Sequence, residues 1–196
     1  MYKDHCPKIA EFGRQSPGNL FQVGLFVIST INKHFEGVGE AMDSYRLHGS
    51  DGAWFSAYQR RALEVWSTEA PSLHKRLGEW SPLFPELALV EVVQLPGVGI
   101  TKGAFFLQLL GFEIGCLDRH NLALAGLDGK VFSKTPASTE SLVRKIRVYT
   151  DLCRILGGAE FLWNQWCGYL ANIRPKSFPS AEHVSRLHVE YIMGRN

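Results

Sequence analysis

Residues 95–121, LPGVGITKGAFFLQLLGFEIGCLDRHN, constrain this chain more than any other stretch. An apolar run ends in Leu-Pro-Gly-Val-Gly, and a second apolar run begins at once. That pattern predicts two helices joined by a very tight turn. Gly97 and Gly99 permit backbone angles and close approach that a side chain would block, and Leu95 and Val98 anchor the turn to a core. The amides around Gly97 to Thr101 then point outward at the start of a helix, where backbone donors and the positive helix end suit a phosphate. Lys102 adds charge beside them. Such contacts position a nucleic acid without reading its bases. One helix later the chain supplies Asp118, followed by Arg119, His120 and Asn121.

The rest of the chain has helical periodicity and almost no strand alternation. Leu20, Val23, Leu25, Phe26, Val27 and Ile31 line one broad helical face after Asn19, the expected N-cap. Gly49, Ser50 and Asp51 form a turn, after which Trp54, Phe55, Tyr58, Ala62, Val65 and Trp66 recur at helical intervals, with Pro71 separating off a shorter helix. Pro85 opens the first hairpin helix with Glu86 in its first turn. Residues 125–138 form the longest Gly/Pro/Ser-rich loop. Ser138 or Thr139 caps a helix whose stripe is Leu142, Ile146, Tyr149, Cys153 and Leu156, and Gly157-Gly158 ends it. Two further helices follow, separated by Pro175 and Pro179. The expectation is an all-α chain of about seven to ten helices with no substantial sheet. Trp54, Tyr58, Trp163 and Trp166 are assigned to the core, with the wall of a pocket as the alternative.

Composition narrows the function classes only a little. With 196 residues, 45% hydrophobic and 20% charged, the chain has the make-up of a globular protein. A formal charge of +2 and a pI near 8.4 neither demand nor forbid a nucleic-acid partner. Cys6, Cys116, Cys153 and Cys167 are scattered, without CxxC pairs or histidines at zinc-finger spacing, so reduced thiols and no metal are expected. His5 with Cys6, and His183 with His188, lack ligand spacing. The N-terminal stretch lacks the plan of a signal peptide. Residues 20–31 are too short to cross a bilayer that needs about 20 apolar residues. These features point to an intracellular setting: cytoplasm, nucleoid, nucleus or a viral particle.

Residues 92–121 resemble the helix-hairpin-helix (HhH-GPD) DNA glycosylases, the superfamily of endonuclease III. LPGVGITKGA matches the hairpin, and GFEIGCLDRHN matches the loop that carries the family's aspartate, here Asp118 with His120 in an Asp-x-His pattern. The resemblance implies a two-lobed helical fold, with one lobe over residues 19–113 and the other over 1–18 plus 114–196. It implies double-stranded DNA as partner and excision of a damaged, mismatched or modified base. Asp118 would be the carboxylate that acts on the sugar, and Leu95, Gly97, Val98, Gly99, Thr101 and Lys102 would contact DNA; Asp118 before RHNLALAG also reads as a helix N-cap, and the two roles are compatible.

The family's lyase members carry a lysine two residues after the last hairpin glycine. Thr101 stands there, and Lys102 follows one residue later, about 100° around the helix axis. The chain therefore looks like a member that only cuts the glycosidic bond, with Lys102 exposed or on a phosphate unless the one-residue shift turns it inward. The four closely spaced cysteines of the family's iron-sulfur cluster are missing, so no cofactor is expected. Asn32 is a candidate wedge or a C-terminal helix cap, and Arg144, Lys145, Arg147 and Arg154 form a basic strip facing either DNA or solvent. The alternative is a catalytically inactive DNA-binding or structural component of a nucleoprotein or viral assembly.

Overall fold

The computed structural model describes residues 1–31, 33–52 and 54–194. Among them, ten α-helices and one 3-10 turn follow one another, and no strand occurs. The helices are α1 (Tyr2–Gln15), α2 (Pro17–Ser29), α3 (Glu36–His48), α4 (Ala57–Gly78), α5 (Pro85–Val92), α6 (Ile100–Leu109), α7 (Arg119–Leu124), α8 (Thr139–Ile155), α9 (Gly158–Ile173) and α10 (Ala181–Met193). No helix is long and apolar enough to cross a membrane among the described residues.

The centre is α2, buried around most of its girth and packed against α1, α4, α3, α6 and α10. Its N-cap is Ser16 rather than Asn19: Ser16 Oγ accepts from the Asn19 amide at 3.1 Å, and Pro17 takes the first helical position, where no amide is needed. Pro71 lies inside a continuous α4 rather than dividing it, and α1 likewise contains Pro7. α4 begins at a capping box between Ser56 and Gln59, so Trp54 precedes the helix. Trp54 and Tyr58 are exposed (38% and 61%), against the core assignment.

The chain closes on itself through α10, which packs on both α1 and α9, while α8 packs against α5 and α9. Buried apolar side chains from all of these helices belong to one contiguous core. The hairpin is built into that core. Gly97 has φ +88, and a Cβ there would lie 2.9 Å from Ala62 Cβ on α4. Gly103 lets α6 approach α5, since a Cβ there would be 2.9 Å from Leu89 Cδ1. Gly97→Ala combines left-handed strain with overpacking, and is expected to lower unfolding stability by about 2–4 kcal/mol in urea titrations. An unchanged midpoint would show that the turn is not under this constraint.

Candidate functional site

Pro85 starts α5, and Val98 (7% exposed) and Leu95 (9%) plug the turn into the core. The Pro96 carbonyl accepts from Trp66 Nε1 at 3.0 Å, fixing the turn to α4. Gly99 is the N-cap of α6 and offers no side-chain cap. The first α6 bond runs from Gly103 N to Gly99 O (2.8 Å), so the amides of Ile100, Thr101 and Lys102 have no intrahelical acceptor. Gly97 and Gly99 are each half-buried. Thr135, from the 125–138 loop, stands beside the turn: a Cβ on Gly99 would be 3.4 Å from its Oγ1.

Lys102 turns inward, which corrects its assignment to the surface. Its ammonium donates to Thr30 Oγ1 at 2.7 Å and lies 5.6 Å from the Phe105 ring centroid. Burial lowers its pKa below the ordinary lysine value, while Cys116 and Asp118 act in the opposite direction. Thr101, at the position the family gives its lysine, is not among the residues that line the cleft with Lys102. Asn32 lies outside the described residues.

Asp118 is the N-cap of α7, with Oδ1 accepting from the Asn121 amide at 2.8 Å. The extended segment leading to it is held from three sides. Gln108 Oε1 accepts from Cys116 N (3.1 Å), and Gln108 Nε2 donates to Ala159 O (2.8 Å). The Tyr149 hydroxyl accepts from Leu117 N (2.7 Å) and donates to Gly115 O (3.0 Å). Asn121 Nδ2 donates to Cys116 O at 2.7 Å. Each of these side chains is buried, so their hydrogen bonds fix the register of Asp118 against α6. Burial also pushes the Cys116 thiol well above its ordinary value, which makes it a poor nucleophile beside Lys102.

Lys102 and Asp118 line one cleft of about 410 Å³. Phe35, Phe105, Trp166, Tyr169 and Phe178 supply aromatic walls, with Trp163 and Leu170 beside them. Of the tryptophans assigned to the core, Trp163 is buried (3%) and Trp166 only partly, and both face this space. Next to Asp118, His120 stacks on Tyr169 with ring centroids 3.5 Å apart. Lys33, His34 and Arg174 also line it; Arg174 pairs with Glu36 and reaches His34 Nδ1 at 3.1 Å. The basic strip on α8 is partly spoken for. Arg154 pairs with Glu86 (2.8 Å), Arg144 with Glu140 (3.0 Å), and Lys145 donates to Lys134 O (2.8 Å).

A volume of this size, apolar-walled with a few convergent polar groups, suits a small organic ligand. A carboxylate in such a cleft can stabilise positive charge as it develops on a ligand, and a neutral amine can attack carbon. Among the described residues no cluster of His, Cys, Asp and Glu suited to a metal occurs. No protein-family model, curated protein or solved structure matches this chain.

Proposed function

We propose that the protein is a helix-hairpin-helix DNA glycosylase of the two-lobed helical type, which binds duplex DNA and hydrolyses the N-glycosidic bond of a damaged, mismatched or modified base. One observation carries this. Lys102, on the second hairpin helix, and Asp118, one helix later, line the same aromatic-walled cleft. In that arrangement the uncapped start of α6 takes a backbone phosphate while the extruded nucleotide enters the cleft. Aromatic walls replace the stacking that the base loses. Asp118 stabilises the oxocarbenium-like sugar and orients the attacking water.

The inward Lys102 favours a second reading in which base release is followed by strand cleavage. The amine would displace the base at C1′ and form an imine with the opened sugar. Burial supports this by keeping more of the amine neutral. One experiment separates the possibilities: duplexes with oxidised, alkylated, deaminated or hypermodified bases are incubated with the protein, with and without borohydride. Abasic sites are expected for at least one base. A covalent adduct trapped by borohydride and lost in Lys102→Gln would mark the lyase. Abasic sites without an adduct would mark a hydrolytic enzyme, and binding without either product would leave a noncatalytic DNA-binding module.

A further inference from the structure

The open end of the cleft carries hydrogen-bond donors that the protein leaves unused. Lys33, His34 and Arg174 line it there: His34 is exposed and the other two are half-buried, whereas Phe35 and Trp163 of the same cleft are buried. Arg174 Nη2 lies 3.1 Å from His34 Nδ1. A guanidinium has donors and no acceptor, so Nδ1 accepts, the ring is neutral, and its one N–H is at Nε2. That Nε2–H has no acceptor among the described residues. Lys33 is placed alike. Its ammonium lies 5.1 Å from the Trp54 ring centroid and pairs with no carboxylate among the described residues. Arg174 differs, because Glu36 takes its Nη1.

Charge points the same way. Lys33, Lys102 and Arg174 line the cleft against a single lining carboxylate among the described residues, Asp118, so an entering anion meets a positive field. A phosphate group matches this end in two respects: it is anionic, and it has several acceptor oxygens that can take the Lys33 and His34 donors at once. In a nucleotide the phosphate is joined to the base through the sugar, so a base held between the aromatic walls leaves its phosphate towards the open end. We infer that Lys33 and the Nε2–H of His34 seat the phosphate of the nucleotide whose base occupies the cleft. This rests on the nucleotide-binding reading of the cleft and adds to it a phosphate seat separate from the start of α6.

Calorimetric titration with deoxyadenosine, thymidine and the 5′- and 3′-monophosphates of each tests it without any bond being cut. For at least one base, one monophosphate is expected to bind at least about tenfold tighter than its nucleoside. In the Lys33→Gln/His34→Phe double variant that advantage should shrink to less than about twofold. The wild-type comparison stands by itself if the double variant does not fold. Equal wild-type affinities for nucleosides and monophosphates would overturn the inference, as would an advantage that survives in the folded double variant or no binding by any of these ligands. Base release from DNA by a protein that shows no preference for monophosphates would sink the seat and leave the glycosylase proposal standing. Phosphate-dependent binding, lost in the double variant, by a protein that releases no base from any duplex would support the seat and sink the glycosylase proposal instead.

Discussion

Asp118→Asn is expected to reduce base release by about 10²–10⁴-fold while leaving DNA affinity and folding stability nearly unchanged. The separation follows from the two jobs the side chain holds. As the N-cap of α7 it accepts from the Asn121 amide through Oδ1, and asparagine caps a helix about as well as aspartate. The fold therefore keeps its bond. What disappears is the negative charge, the part that a developing oxocarbenium needs. The phosphate contacts proposed for the hairpin involve amides near Gly99 and are untouched, so the salt dependence of DNA binding should not move.

A readout independent of turnover accompanies this. The Asp118 carboxylate acts to raise the pKa of Lys102 against the lowering effect of burial. Removing the charge should lower that pKa further, which NMR titration of a ¹³C-methylated lysine would register. Wild-type turnover in Asp118→Asn would end the proposed role of the carboxylate. A Lys102 titration that ignores the substitution would mean that the two groups do not share an electrostatic environment.

The helix-turn-helix core of this site was legible in the sequence because it is local. Pro85, Gly97, Gly99 and the apolar run after them dictate where α5 ends and α6 begins within a few residues. The inward course of Lys102 was not legible. Thr101 and Lys102 are both half-buried neighbours on the first turn of α6, and the choice between them is made by Thr30, from a helix end 72 positions away. The same holds for the cleft wall: His34, Phe35 and Val38 come from the connection into α3 and its first turns, a helix whose periodicity attracted no notice. Gln108, Asn121 and Tyr149 read as an ordinary polar side chain, a helix-start residue and a core aromatic. Their function as splints appears only when the extended segment before Asp118 is laid between α6, α7 and α8. Pro71 failed as punctuation for a physical reason, since the packing of α4 against α2 outweighs a local propensity penalty of about 3 kcal/mol.

Mild acid is expected to destabilise the protein through His188, the ring behind the aromatic wall. His188 is fully buried, with Nδ1 bonded to Val184 O at 2.8 Å and Nε2 without a partner among the described residues. Four rings that line the cleft, those of Phe35, Phe105, Trp163 and Trp166, surround it at centroid distances of 4.4 to 6.3 Å. Desolvation there drives its pKa from the ordinary 6.5 down to about 3. Between those values the unfolded chain binds a proton that the folded chain refuses. The stabilisation is therefore fully present above about pH 6.5 and is lost progressively as the pH falls towards 3. The full span corresponds to about 5 kcal/mol, and about 3 kcal/mol of it should be gone near pH 4.5. His188→Phe replaces the ring with one that cannot titrate, so its unfolding free energy should fall less between pH 7 and pH 4.5 than that of the wild type, by about that 3 kcal/mol. Parallel pH dependences in the two proteins would show that the histidine is not the group responsible. Because the same rings wall the cleft, ligand affinity and acid stability should decline together in the wild type and separate in the variant.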